Sequence, residues 1–144
     1  MPIQQAVRIL RDLVDALGYA HSHEVVHRDV KPGNIMLSGR HASVMDFGVA
    51  KAVGESRSPG HETTVGVALG TPAYMAPEQA AAEPNVDQRA DIYAVGVVGY
   101  EILTGHPPFS ARTTTGILAA HVTQAPVPIG ERRPTVPERL AAAI

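Results

Sequence analysis

The feature that most constrains this chain is a run of polar and breaker residues, His-Arg-Asp-Val-Lys-Pro-Gly-Asn, at positions 27–34. Proline lacks a backbone N–H and glycine adds backbone freedom, so neither a long helix nor a long strand can continue through this run. Short apolar runs flank it at 25–26 and 35–37, and another at 42–45 leads into Asp-Phe-Gly at 46–48. These runs predict short strands or bridges. The sequence therefore predicts a polar site on loops that small strands hold in place.

Helices are predicted on both sides of these loops. Apolar residues recur at steps of three and four from a start near Pro2, which places one apolar stripe on a helix. The residues of this stripe are Ile3, Val7, Leu10, Val14, Leu17 and Ala20. Residues 90–103 are apolar on more than one face, as in a fully buried helix, and further helices are predicted at 113–122 and from residue 136. The chain is therefore predicted to be mainly helical, with few and short strands.

Length and composition limit the kinds of protein this chain can be. A chain of 144 residues with 44% hydrophobic content can form one core, which favours a single domain. The net charge of −2 gives no electrostatic argument for binding nucleic acid or an anionic membrane. No cysteine is present, which excludes disulfides and thiolate metal sites. No apolar run approaches the roughly 18 residues of a membrane span, so we expect a cytoplasmic location, with any membrane anchor outside this chain.

Four motifs, in this order, resemble those of the protein kinase family. The sequences HRDVKPGN at 27–34 and DFG at 46–48 resemble the catalytic loop and the magnesium loop. The sequence GTPAYMAPE at 70–78 is similar to the segment that docks the substrate and ends the activation loop, and DIYAVG at 91–96 is similar to the start of the family's central buried helix. The resemblance covers essentially the whole chain, and the residues within the motifs are most similar to those of bacterial serine/threonine kinases.

The resemblance implies an α+β, mainly α-helical fold, the large C-terminal lobe of the protein-kinase-like fold, over residues 1–144. The catalytic loop would be 27–34 and the activation segment 46–78, including a polar, breaker-rich activation loop at 51–69. A complete kinase also carries a Gly-rich loop, a strand lysine and a helix glutamate that cover ATP. None can be found before His27, so the β-rich N-terminal lobe is expected to be absent from this chain, and the polypeptide by itself is expected to be inactive.

The resemblance also implies the chemistry of individual residues. Asp29 would accept the proton of the substrate hydroxyl, and Lys31 would hold the transferring phosphate of ATP. Asn34 and Asp46 would hold Mg²⁺ or Mn²⁺ against the phosphates. Met36 would line the floor under adenine, although a methionine in an apolar run is first a core residue.

Regulatory and substrate contacts follow from the same resemblance. Arg28 would bind a phosphothreonine formed at Thr63 or Thr64, because a guanidinium matches phosphate oxygens bidentately. Thr71 would help to seat the substrate, and together with Lys31 it is typical of serine/threonine-specific kinases.

The remaining motif residues are predicted to be structural. His27 would pack under Phe47, and both would belong to the core. Gly48 completes the magnesium loop, and Asp91 would cap the backbone of the catalytic loop. Glu78 pairs with a later arginine in the family, so it is expected to lack its partner in this chain.

One competing motif is His-Glu-Val-Val-His at 23–27, which matches the H-E-x-x-H pattern of zinc hydrolases. That chemistry needs a continuous helix through both histidines, whereas two β-branched valines and a proline-containing loop follow the glutamate. Val30 and Gly33 also stand where one large group of zinc proteases has glycine and histidine. A zinc hydrolase therefore stays only as a remote alternative.

The function that the resemblance implies is transfer of the γ-phosphate of ATP to serine or threonine hydroxyls of proteins, in the complete enzyme. The alternative is a catalytically silent kinase-lobe fragment that binds proteins without turnover. The expected partners are ATP, protein substrates and a second kinase copy for autophosphorylation, without nucleic acid or membrane contact.

Overall fold

The computed structural model describes residues 1–47 and 71–144. The predicted activation loop, with Thr63 and Thr64, lies outside the described residues, as does Gly48. In chain order the elements are helix α1 (Ile3–Ser22), strands β1 (Ile35–Ser38) and β2 (His41–Val44), and helices α2 (Pro77–Ala80), α3 (Arg89–Thr104), α4 (Thr114–Thr123), α5 (Ile129–Arg132) and α6 (Glu138–Ala141), with 3₁₀ turns at Pro32–Asn34 and Pro72–Tyr74. The described part of the chain is thus mainly helical with one two-stranded sheet, as predicted.

Helix α1 forms where it was predicted, and its buried face is displaced from the predicted stripe, with Leu17 and Ala20 common to both. The buried residues are Ala6, Ile9, Leu13, Leu17 and Ala20. The predicted stripe is wrong at Val7 and Val14, whose exposed fractions are 43% and 47%. Both sets of residues recur at steps of three and four, so the spacing cannot choose between them. The choice is made by packing, because the buried set contacts α3 and the strands.

The C-terminal end of α1 is closed by a left-handed residue. Glu24 has φ of 62°. Its N–H donates to the carbonyl of His21 at 3.0 Å, and the N–H of Val25 donates to the carbonyl of Ala20 at 3.0 Å. This pair of hydrogen bonds is the Schellman arrangement that ends a helix. The strand predicted at 25–26 is therefore wrong, because the backbone there caps the helix and does not pair with a strand.

Strands β1 and β2 form an antiparallel hairpin directly after the 3₁₀ turn of the polar run. Ile35 pairs with Val44 and Ser38 with His41, so two residues make the connection. Gly39 begins that connection with φ of 60°, a conformation that glycine adopts without steric strain. The hairpin thus holds both ends of the predicted site, as the sequence indicated.

Helix α3 is the central buried helix, and its prediction is confirmed. Its buried residues lie on several sides, among them Val95, Val97 and Val98. It ends at Gly105, which has φ of 92° and donates its N–H to the carbonyl of Glu101 at 2.7 Å. The predicted helix at 113–122 is also confirmed as α4, whose first turn is capped by the Thr113 hydroxyl.

Candidate active site

The polar loop after α1 is anchored by a buried carboxylate on α3. Asp91 is 1% exposed. Its Oδ2 accepts a hydrogen bond from the N–H of His27 at 2.8 Å, and its Oδ1 accepts one from the N–H of Arg28 at 2.7 Å. The Nε2 atom of His21 lies 2.7 Å from Oδ2. Arg28 has φ of 68°, a strained conformation for a residue with a side chain, so these bonds hold a backbone that would otherwise relax.

His27 lies beneath the loop and connects it to the segment after β2. Its Nε2 is 2.8 Å from the carbonyl oxygen of Met45, and its Nδ1 accepts a hydrogen bond from the N–H of Asp29 at 3.2 Å. A carbonyl can only accept, so Nε2 carries the proton and Nδ1 does not. His27 therefore connects Asp29 to the Met45 carbonyl through a neutral ring.

Phe47 contacts the ring of His27 but is not buried. The two ring centroids are 4.8 Å apart in an edge arrangement. The exposed fraction of Phe47 is 37%, so the prediction that it belongs to the core is wrong for the described part of the chain.

Asp29, Lys31 and Asn34 lie in hydrogen-bonding contact. The Nζ of Lys31 donates to Oδ2 of Asp29 at 2.8 Å. The Nδ2 of Asn34 donates to the same oxygen at 3.1 Å and to the carbonyl oxygen of Asp29 at 2.8 Å. The side chains of Asp29 and Lys31 are 27% and 25% exposed, so solvent and a ligand can reach them. The site thus presents a carboxylate, an ammonium group and an amide within one short turn.

Asp46 lies next to this cluster because the backbone joins the two segments. The N–H of Met45 donates to the carbonyl oxygen of Asn34 at 2.8 Å. Asp46 is exposed and has φ of 61°. The Nδ2 of Asn34 donates hydrogen bonds to Asp29. The Oδ1 of Asn34 is therefore the atom that a metal would bind.

These oxygen donors suit Mg²⁺, which prefers carboxylate and amide oxygens together with phosphates and water. Within residues 1–47 and 71–144, no three His, Cys, Asp or Glu side chains form a group that could hold a metal ion. Asn34 and Asp46 would each supply one side-chain oxygen to such an ion. Met36 lies on β1 directly after Ile35 and is 50% exposed.

The segment at 71–76 is fixed to α3. The hydroxyl of Tyr74 donates to Oε2 of Glu101 at 2.6 Å. Burial, and then this hydrogen bond, raises the pKa of Tyr74 well above its ordinary value. Thr71 is exposed, and among the described residues no hydrogen bond joins its side chain to Asp29. Glu78 lies in the first turn of α2 and is half-buried.

Two residues of this region were missed by the sequence reasoning, His21 and Gln79. The Nε2 of Gln79 donates to the carbonyl oxygen of Arg28 at 2.8 Å, and its Oε1 accepts from the N–H of Ala76 at 3.0 Å. The sequence signals for Gln79 were its place directly after the Ala-Pro-Glu of the third motif and its position in the first turn of a helix, where it would be interpreted as a capping residue. Its partner is 51 positions away, which no local pattern reveals.

The geometry contradicts the zinc-hydrolase alternative. Helix α1 ends at Ser22, so His23 and His27 do not share a helix face. His23 is exposed and its Nδ1 lies 2.9 Å from the carbonyl oxygen of Tyr19, whereas the Nε2 of His27 is used on the Met45 carbonyl. The two imidazoles therefore cannot bind one ion together unless these hydrogen bonds are broken.

Replacing His23 with alanine is accordingly expected to change neither activity nor metal content. The reason is that, within the part of the chain that the structure describes, the hydrogen bonds of the His23 side chain all go to the last turn of α1. Metal analysis of the purified chain by mass spectrometry provides the measurement. Stoichiometric zinc that disappears in His23→Ala would contradict this expectation.

Comparison with known proteins gives consistent matches over the chain. A family model described as protein kinase domain matches residues 1–139. The serine/threonine-protein kinase PknB of Mycobacterium leprae is 42% identical over 145 residues, which cover 100% of this chain and 23% of that protein. The serine/threonine-protein kinase pkn3 of Myxococcus xanthus is 41% identical over 135 residues, which cover 90% of this chain and 24% of that protein. The chain thus spans about a quarter of the length of these curated relatives.

Proposed function

Because the chain belongs to the protein kinase family, we propose that it forms the catalytic-loop part of a serine/threonine kinase, the C-terminal lobe. In the complete enzyme this lobe transfers the γ-phosphate of ATP to serine or threonine hydroxyls of protein substrates. The observation that carries the proposal is the contact of Asp29 with Lys31 and Asn34. A base, a phosphate-neutralising cation and a metal ligand are the groups that this reaction needs in one place.

The mechanism rests on position and charge. Oδ2 of Asp29 accepts from Lys31 and Asn34, which leaves Oδ1 to accept the proton of the attacking hydroxyl. Lys31 keeps further N–H donors for the transferring phosphate. Asn34 and Asp46 would hold Mg²⁺, which when bound supplies charge neutralisation at the phosphates. The protein forms no covalent bond to the phosphoryl group in this reaction. Alignment of these groups therefore accounts for most of the rate enhancement.

The decisive experiment measures phosphate incorporation from γ-labelled ATP into a basic acceptor protein. The polypeptide should carry residues 1–144 together with an ATP-covering lobe, and the 144-residue chain alone serves as the comparison. Phosphoserine or phosphothreonine should form in a Mg²⁺-dependent manner, because Lys31 and Thr71 are of the serine/threonine type. Absence of transfer at saturating Mg·ATP, or exclusive labelling of tyrosine, would refute the proposal.

ATP and protein substrates are the partners that family membership supports, and a second kinase copy is proposed as a partner for autophosphorylation. Mn²⁺ is proposed to replace Mg²⁺, since both accept oxygen ligands. Among the described helices, none is long and apolar enough to cross a membrane. A cytoplasmic location of residues 1–144 is part of the same proposal.

Phosphorylation of Thr63 or Thr64 is expected to raise activity. Among the described residues the buried Nε of Arg28 has no hydrogen-bond partner, and one other guanidinium nitrogen donates to the carbonyl of Val86 at 3.3 Å. A phosphothreonine brings roughly −1.5 to −2 charges that such a guanidinium can bind. Replacing both threonines with alanine should therefore lower the transfer rate of the complete kinase by about tenfold or more.

The matched control for this prediction is Arg28→Gln, which removes the guanidinium. In that background the double alanine substitution should have little further effect, because the binding partner of the phosphate is already gone. Mass spectrometry then identifies the modified residue. A fully active preparation with both threonines unmodified would show that the switch does not operate.

A further inference from the structure

We propose that Gln79 is a positioning residue that sets the orientation of the Asp29 carboxylate from the substrate-docking side of the site. The proposal rests on the function proposed above, and it adds a residue outside the motifs assigned to catalysis. The docking segment is defined here as residues 71–76, which directly precede α2.

The orientation of the Gln79 amide is fixed by its two partners. The N–H of Ala76 can only donate and the carbonyl of Arg28 can only accept. Oε1 must therefore point to Ala76, at 3.0 Å, and Nε2 to Arg28, at 2.8 Å. A flipped amide would bring donor against donor and acceptor against acceptor. Gln79 thus spans the docking segment and the catalytic loop with one rigid planar group.

The bond to Arg28 acts on the peptide unit that precedes Asp29. The carbonyl of this unit accepts from Gln79, and its N–H, which belongs to Asp29, donates to Nδ1 of His27. The preceding N–H, that of Arg28, is held by Asp91. Arg28 has a positive φ, which is strained for a residue with a side chain. This peptide unit would therefore rotate if one of its hydrogen-bond partners were removed. Rotation of the unit moves the Cα and the carboxylate of Asp29.

The bond to Ala76 couples the same peptide unit to the docking segment. Ala76 is fully buried, and Tyr74 two residues earlier is fixed to Glu101. The segment that receives the substrate and the loop that carries the base are therefore joined through one side chain. Gln79 keeps the distance between the substrate hydroxyl and Asp29 constant, which is the quantity on which phosphoryl transfer depends.

Two variants separate this role from simple capping of α2. Gln79→Glu keeps the acceptor for Ala76 and loses the donor to Arg28, whereas Gln79→Met loses both. The control is Gln88→Met, because Gln88 is exposed and its side chain makes no capping hydrogen bond. The rate of phosphoryl transfer should be measured in single turnover at saturating ATP, together with KM for ATP and for the acceptor protein and the thermal unfolding midpoint.

We expect both Gln79 variants to transfer phosphate about tenfold more slowly, less than the roughly hundredfold loss that a 1 Å misplacement can cause. KM for ATP should stay within about twofold, since the partners of this amide, Ala76 and Arg28, are not among the residues proposed to hold ATP or its metal. Exchange of the Asp29 N–H with solvent, followed by NMR, should become faster in Gln79→Glu, and Gln88→Met should match the unsubstituted enzyme. The exchange measurement needs only the folded polypeptide and no turnover.

A Gln79→Glu enzyme with the unsubstituted transfer rate would overturn the inference and leave Gln79 as a cap of α2. A loss confined to KM for the acceptor protein would also overturn it, because Gln79 would then act on docking alone. If the unsubstituted enzyme were inactive while Asp29 exchange still quickened in Gln79→Glu, the proposed function would fail and the positioning contact would stand. Unchanged exchange together with unchanged rates would remove the positioning role entirely.

Discussion

Asp46→Ala in the complete kinase is expected to abolish phosphoryl transfer, whereas Asn34→Ala is expected to weaken it. Asp46 is the charged member of the proposed metal pair, and Asn34 contributes a neutral oxygen. A bound metal ion supplies several kcal/mol of charge stabilisation, so the loss for Asp46→Ala should be at least about a thousandfold. The rate should be measured over a titration of Mg²⁺ at fixed ATP.

The Mg²⁺ titration distinguishes the two roles. Higher Mg²⁺ should restore part of the rate of Asn34→Ala, because a neutral ligand contributes mainly to affinity, and little of the rate of Asp46→Ala. Asp15→Ala is a suitable control, since Asp15 is a surface carboxylate that is 72% exposed and pairs with Arg11 on the same helix. An Asp46→Ala enzyme with near-normal turnover would show that the metal is held elsewhere.

Asp91→Ala is expected to lower the free energy of unfolding by about 3–5 kcal/mol, since it removes a buried charge partner and leaves its hydrogen-bonding groups unsatisfied. Those groups are the N–H of His27, the N–H of Arg28 and the imidazole of His21. The effect should be large for a domain of this size, whose total stability is about 5–15 kcal/mol. Denaturant unfolding followed by circular dichroism measures it.

The comparison for Asp91→Ala is again Asp15→Ala, which should change stability by less than about 1 kcal/mol because exposed ion pairs contribute little. Asp91→Asn supplies a second test. Its amide can accept one of the two backbone N–H groups but would present a donor to the other, so its stability should lie between those of the alanine variant and the unsubstituted chain. Equal unfolding midpoints for all these proteins would show that Asp91 does not hold the loop.

Local sequence patterns predicted the elements because each of them is encoded by neighbouring residues. The bounds of α3 follow from a continuous apolar segment that ends at Gly105, and α4 begins directly after Thr113, whose hydroxyl caps its first turn. The contact among Asp29, Lys31 and Asn34 also forms over six positions of chain, so the spacing of the motif nearly dictates it. The roles of these residues in catalysis stay predictions.

Long-range contacts account for what the patterns did not predict. Val7 and Val14 satisfy the helical spacing as well as the buried residues do, and only α3 and the hairpin decide which face is covered. The helix end at Glu24 depends on a left-handed residue that is not glycine, so the usual signal was missing.

The sequence by itself determined the family, the mainly helical fold class and the identity of the polar residues in the site, because motif residues and apolar periods are local properties of a chain. Only the tertiary structure decided how that site is held. Asp91 forms a hydrogen bond with His27, 64 positions earlier in the chain, and Gln79 forms one with Arg28, 51 positions earlier. A hydrogen bond between distant segments depends on where packing brings their backbones together, and no spacing within either segment encodes that meeting.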